Sequence, residues 1–297
     1  MNAREQGFLL LSCQLGNPDR HPLTGPQLRT LSQRVALADR DVADRELEAR
    51  DLIALGYDRN MAQRIVSLLG DTALLERYLH RGRQAGCVPL TRVSEGYPDT
   101  VHNRLNVDAP GCLWAKGDLS LLHEPAVALV GSREIGEENL RFAREVGRQA
   151  ARQDLILVSG NARGADKAAQ EACLEAGGRV ICVVADQLQR HGEKKSMLYL
   201  SEDGFDLPFS NQRALSRNRV IHCMGLRTIV AQCDYQKGGT WDGTVKNLRF
   251  GWSPVFCCKD GSVAMEKLSD MGAEPIGFAD LNDFSQLNVK YYGFFDQ

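Results

Sequence analysis

AVALVGSREIG, at Ala126–Gly136, and LILVSGNARGAD, at Leu155–Asp166, are the two stretches whose reading decides the fold. Each begins as a short apolar run and breaks into small and polar residues before a helical pattern resumes. That is how a buried parallel strand feeds a loop and a crossover helix. Strand ends of this kind leave backbone N–H groups pointing outward at a helix N-terminus, where the helix dipole favours an anion. Each loop also carries an arginine, Arg133 and Arg163. Two such loops in adjacent βα units imply a phosphate-binding crevice at the carboxyl ends of the strands.

Working outward, the pattern is regular from Glu124 onward. A helix over Glu137–Gln153 places Leu140, Ala143, Val146 and Ala150 on one face, and a second runs over Ala165–Ala176 into the strand RVICVV. The polar stretch ADQLQRHGEKKSMLYLSEDGFDLPFSNQRA then has the length of an inserted loop or lid. After it ALSRNRVIHCMG and TWDGTVKNLRFG read as helices, RTIVAQC and SPVFCC as strands, and SVAMEKLSDMG as a closing helix. This alternation predicts an α/β fold: an extended Rossmann-like, doubly wound and mostly parallel sheet. Upstream, residues 1–24 are ambiguous, and a helical region begins at Thr24, with apolar positions at Leu28, Leu31, Val35 and Leu37. LIALGYDRNMAQRIVSLLG resembles a helix-hairpin-helix only superficially, since Gly56 has no second hairpin glycine, and it reads better as a packing module. The expected organisation is a helical N-terminal domain over 1–86, a connector over 87–123 packed on the next domain, the Rossmann-like domain over 124–275 and a tail over 276–297.

Composition narrows the function. The chain of 297 residues is 43% hydrophobic and 25% charged with a formal net charge of -2, so any polyanion site must be a local patch. No stretch offers ~20 successive apolar residues, which predicts a cytoplasmic protein without a membrane partner. The nine cysteines are scattered with no CxxC pair, and several fall inside apolar strand patterns. Such spacing argues against a disulfide framework or structural zinc, and no cofactor is expected.

Four stretches could carry chemistry. In the first loop, Gly131 allows a sharp turn, Ser132 can cap the following helix or bond a phosphate, and Arg133 offers a guanidinium fork. In the second, Ser159, Gly160, Asn161, Arg163 and Gly164 occupy the corresponding strand end, and Asp166 reads as a helix-start residue. The third is Arg217, Asn218 and Arg219, preceded by Arg213 at helical spacing; with Lys194 and Lys195 these residues suggest a basic patch. The fourth is YQKGGTWDGT, where Lys237, Gly238 and Gly239 stand beside Tyr235 and Trp241, a mixture of charge and π-faces that suits a single strand. Each has an ordinary alternative: a plain turn, a solvated helix face, or a mobile connection over a core tryptophan. There is no GxGxxG, P-loop, GxSxG or HExxH, and no catalytic constellation emerges. Asp186 and Asp242 are the carboxylates placed nearest the crevice.

VALVGSR, SGNARGADKAAQEACLEAGGRVICVV, SRNRVIHCMGLRTIV and the KGGT loop together resemble the DNA-processing protein A (DprA, or Smf) family, with a matching lead-in at YPDTVHNRLNVDAPGCLWAKGDLSLL. The resemblance covers roughly residues 86–273. It implies an extended Rossmann-like fold that binds single-stranded DNA, forms homodimers, loads a RecA-like recombinase in natural transformation and has no established catalytic activity. On the family's pattern, Gly131, Ser132, Arg133, Gly160, Arg163, Gly164, Arg217, Asn218, Arg219, Lys237 and Gly238 fall at its binding motifs. Departures are Asn161, Ala165 and Gln170 in the second motif and Ala214–Leu215 where a Phe–Pro pair is usual. These mark a divergent branch, compatible with a mobile-element or phage-defence setting.

The leading expectation is therefore a non-enzymatic binder of single-stranded DNA. An alternative from another class is a small-nucleotide sensor, or a hydrolase like the related phosphoribohydrolases, whose PGGxGTxxE glutamate is replaced here by Lys246 or Asn247. A third is an interaction scaffold working through the N-terminal helices or through Tyr291, Tyr292, Phe294 and Phe295.

Overall fold

The computed structural model describes residues 1–38 and 47–288; the aromatic tail at Tyr291–Phe295 lies outside the described residues. Among the described residues, five helices lead: α1 (Ala3–Ser12), α2 (Gly25–Leu37), α3 (Ala49–Ala54), α4 (Arg59–Gly70) and α5 (Thr72–Gln84). Then come β1 (Val88–Thr91), α6 (Asp99–Leu105), β2 (Cys112–Gly117), β3 (Ala126–Val130), α7 (Glu137–Arg152), β4 (Ile156–Ser159), α8 (Ala165–Glu175), β5 (Val180–Val184) and β6 (Met197–Glu202). The chain continues through α9 (Asn211–Ser216), α10 (Asn218–Met224), β7 (Thr228–Val230), α11 (Gly238–Phe250), β8 (Val255–Cys258), α12 (Val263–Asp270) and β9 (Glu274–Ile276).

Among the described residues, nine strands form one sheet in the order β1-β2-β6-β5-β4-β3-β7-β8-β9. From β6 to β9 every pairing is parallel, whereas β1 and β2 add antiparallel at one edge. The chain steps from β3 outward to β6 and then returns to place β7 on the other side of β3. That return opens a topological switch point at the tips of β3 and β7, where a doubly wound sheet takes its ligands. Residue alternation explains the burial on both faces. Val127 and Leu129 pack with α7, α8 and the aromatic trio Tyr78, Trp114 and Phe205, while Ala128 and Val130 pack with α6, α10 and α12.

The N-terminal helices enclose a core of their own around Leu28, Leu52, Ile65 and Leu68. Helix α1 serves both: Leu9 and Leu10 join the sheet core, and Leu11 the helical one. All nine cysteines are free and buried, small apolar fillers spread through both faces of the sheet.

Three expectations change. The polar excursion before α9 contains β6, whose MLYLSE is buried throughout and pairs with both β5 and β2. Residues 87–123 supply two strands and a helix to the sheet and its cover. The segment read as one helix, ALSRNRVIHCMG, is two helices that abut at Arg217, the C-cap of α9 and the N-cap of α10.

Candidate nucleic-acid interface

Three strand tips and one helix start meet at the switch point. The loop after β3 is stitched to the loop after β7 by Ser132 N–H donating to Gln232 O at 2.9 Å and by Gly136 N–H donating to Gln232 Oε1 at 2.8 Å. It is stitched to α8 by Ala165 N–H donating to Ser132 O at 3.2 Å. Thr240 Oγ1 closes the set on Gly131 O at 3.0 Å. Gly164 is required here twice over: its φ is +83, and a Cβ would overlap the carbonyl oxygens of Ser132 and Arg133.

The loop after β4 is ordered from within. Asp166 is buried, and its Oδ2 accepts the amides of Gly160 at 3.1 Å and Ala162 at 3.2 Å. Burial raises its carboxyl above the usual range, and the nearby Arg217 and those two amides oppose the rise. Asp166 is thus a helix-start residue that also fixes the loop. Ser159 is fully buried and accepts from Gln170 Nε2, so its hydroxyl belongs to the β4–α8 packing and does not reach the crevice.

These loops wall a cleft of about 560 Å³. Gly131, Ser132, Arg133, Arg163, Arg217, Asn218, Lys237, Gly238 and Gly239 all line it. Gly160 and Asn161 lie on an adjoining lobe together with Arg133, Arg163 and Arg217. Lys237 stands exposed at the N-cap of α11, whose first turn, Gly238–Thr240, faces the cleft with amides that lack intrahelical acceptors. Asn218 Nδ2 donates to Gly239 O at 2.9 Å and holds that turn against α10. Arg163 reaches Glu134 at 3.6 Å, but both side chains are exposed, a weak pair in water.

Arg217 is the unusual member. It is 7% exposed and packs its guanidinium against Gly160 so closely that a Cβ there would overlap it, while its Nε and Nη1 are buried without a hydrogen-bond partner. Burial lowers its pKa, and Asp166 is the largest opposing influence. A buried cation without acceptors is costly unless a ligand supplies them.

The expected basic patch is only partly present. Arg213 is turned inward, donating through Nη1 to Ala185 O at 2.7 Å and through Nη2 to Ser201 Oγ at 2.7 Å. Arg219 points away from the cleft, paired with Glu202 at 3.1 Å and donating to Asp108 O at 2.6 Å. Lys194 and Lys195 precede β6 and sit at the opposite end of the parallel strands. Trp241 is buried in the core, with Tyr235 edge-on to it at 5.0 Å. Asp242 pairs with Lys246 on the exposed face of α11 at 2.8 Å, and Asn247 is buried against His222 and Ser253. Burial drops the pKa of His222 to about 3, so the ring is neutral inside this polar cluster. Asp186 borders the adjoining lobe, its carboxyl lowered first by the hydrogen bond from His191 at 2.9 Å.

Sequence reasoning missed Phe209. It is 52% exposed on the adjoining lobe, and Arg133 lies over its ring at 5.8 Å. It occurs five residues ahead of the Ala214–Leu215 pair that stands where the family usually has Phe–Pro. An aromatic before an arginine-bearing helix was the available signal.

Fold and site define a Rossmann-like protein with a basic cleft at the switch point of an extended doubly wound sheet. Residues 89–247 match the DNA recombination-mediator protein A family, and the chain belongs to it. The DNA processing protein DprA of Streptococcus pneumoniae is 33% identical over 141 residues, covering 44% of this chain and 50% of that protein. Protein Smf of Escherichia coli is 30% identical over 156 residues, covering 49% of this chain and 41% of that protein. These alignments span about half or less of either relative. Among solved structures, S. pneumoniae DprA superposes with a TM-score of 0.73 at 24% identity, over 97% of this chain and 99% of that one. A Helicobacter pylori DprA structure, which describes that protein's single-stranded DNA binding mode, gives a TM-score of 0.56 at 23% identity over 67% of this chain and 93% of that one. Both likenesses establish a shared fold.

Proposed function

We propose that this chain serves in DNA processing by binding single-stranded DNA in the switch-point cleft, without breaking a bond. The observation that carries the reading is Arg217, whose Nε and Nη1 are buried without an acceptor, at the floor of a cleft whose rim holds Arg133, Arg163, Lys237 and the first turn of α11. Phosphate oxygens would supply the acceptors, and the exposed Phe209 ring beside Arg133 would give a base a face to stack on. Family membership supports DNA as the polymer. We extend the reading to a homodimer that hands its strand to a RecA-like recombinase in the cytoplasm. The hydrolase alternative gains nothing from the arrangement, because Asp242 faces outward and Asn247 is buried.

The test is a titration with oligo-dT of several lengths at two salt concentrations. Affinity should rise with length and fall with salt, with a log–log slope of about -0.7 per phosphate contacted. Arg133→Ala and Lys237→Ala should each weaken binding and flatten the slope. Wild-type affinity and slope in both variants would reject the cleft as the binding site.

A further inference from the structure

Cations outside the cleft lie along one course down the sheet. It starts at the adjoining lobe, where Arg163 and Asp186 stand beyond the tips of β4 and β5. Lys167 follows in the first turn of α8, its amide donating to Ala162 O at 3.1 Å. Lys194 and Lys195 come next, in the turn that Met197 N–H closes on Lys194 O at 3.0 Å. Met197 pairs with Val180, the first residue of β5, so this turn lies roughly 15 Å from the tip of that strand. Helix α8 and the segment leading to the turn cover the same sheet face, through Ala169, Cys173 and Leu188. Burial raises the thiol of Cys182, in the middle of β5, and the charges of Lys167 and Lys194 both oppose that rise, so the two bear on one strand. The turn then abuts the end of α5: Glu193 lies against Gly86 beside Lys116, and Arg83 stands exposed in the last turn of the helix.

Lys167, Lys194, Lys195 and Arg83 are exposed, and none of these side chains has an ion-pair or hydrogen-bond partner among the described residues. The carboxylates on the course are fewer. Asp186 is engaged by His191 at 2.9 Å, Glu193 is tucked against Gly86, and Glu171 stands one turn along α8 from Lys167. Positive charge is thus left unmatched on a chain whose formal net charge is -2, and it runs unbroken from the mouth of the cleft. A single polyanion leaving that mouth matches such a line better than separate small anions do. We propose that the strand held in the cleft leaves by the adjoining lobe and runs between α8 and the turn before β6 to the end of α5, its phosphates held by Lys167, Lys194, Lys195 and Arg83. This rests on the strand-binding reading above; it lengthens the bound stretch and brings the N-terminal helices into the interface.

The experiment measures affinity and salt slope by fluorescence anisotropy on the full chain, with one oligo-dT of about 6 nucleotides, enough for the cleft, and one of about 20, enough for the whole course. Relative to the wild type, the combined Arg83→Ala, Lys194→Ala and Lys195→Ala variant should bind the long oligomer about tenfold more weakly, with a log–log slope shallower by about 2, and bind the short one unchanged. Lys194→Arg with Lys195→Arg should behave as the wild type toward both, because only the charge is required. Wild-type affinity and slope for the long oligomer in the alanine variant overturn the course and leave the cleft standing. An equal loss for the short oligomer assigns these side chains to the cleft and likewise overturns it. So does a charge-keeping variant as weak as the alanine one. A wild-type chain that binds neither oligomer rejects the strand-binding reading itself.

Discussion

Arg217 is held by packing against Gly160 and by the field of Asp166, with its Nε and Nη1 left without acceptors. Gly160→Ala should therefore act through the arginine: the methyl displaces the guanidinium, and oligo-dT affinity falls about tenfold, as in Arg217→Ala. Circular dichroism should show the fold intact in both; unchanged affinity in Gly160→Ala would remove Arg217 from the site. Asp203 gives a second prediction. Burial, reinforced by Glu202, raises its carboxyl to about 7, so its ionisation opposes folding. The stabilising contribution is fully present below the unfolded-state value near 4 and is lost as pH rises through about 7, a loss on the order of 4 kcal/mol. Asp203→Asn should raise Tm relative to wild type at pH 8 and much less at pH 5. Equal offsets at the two pH values would refute this. That Gly131, Arg133, Arg163 and Lys237 would come together along one cleft was legible because each follows an apolar run that could only be a buried strand. The inward turns of Arg213 and Arg219 were not, because their partners Ser201 and Glu202 lie on β6, inside a stretch whose polar flanks disguised it.

At the scale of elements, α7 and α8 are in backbone contact: a Cβ on Gly147 would overlap the carbonyl of Ala169. Backbone cannot give way as a flexible side chain can. Gly147→Ala should therefore cost about 1–3 kcal/mol despite alanine's better helix propensity, measured as a lower urea midpoint. Those two helices carry the loops that meet at Ser132 and Ala165, so their spacing sets the width of the cleft. Long, clean periodicities such as α7 and β3 were readable from the chain alone. Strand β6 was hidden by QRHGEKK ahead of it, and β9 by its three-residue length and a proline, EPI. Short strands at a sheet's margins are fixed by their neighbours more than by their own pattern.

Across the whole molecule, the helical N-terminus and the sheet meet at Tyr78, which stacks on Phe205 at 4.5 Å, stands edge-on to Trp114 at 5.2 Å and donates to Asp206 Oδ1 at 2.6 Å. Removing it with Tyr78→Ala should cost about 3–5 kcal/mol. Because α1 belongs to both cores, the chain should still melt in one transition; calorimetric melting in two steps would show that helices and sheet fold separately. This docking was not legible beforehand, since nothing in a helical pattern says which sheet face it will cover.

The buried cysteines offer a way to watch the molecule come apart. Burial pushes Cys173 to about 11 and Cys223 and Cys257 to about 12, so in the closed protein almost none of these sulfurs is thiolate at neutral pH. An alkylating reagent then labels a site only when the surrounding structure opens. Mass spectrometry of pulse-labelled protein would turn nine innate probes into a map of where breathing begins, with no engineered tag required.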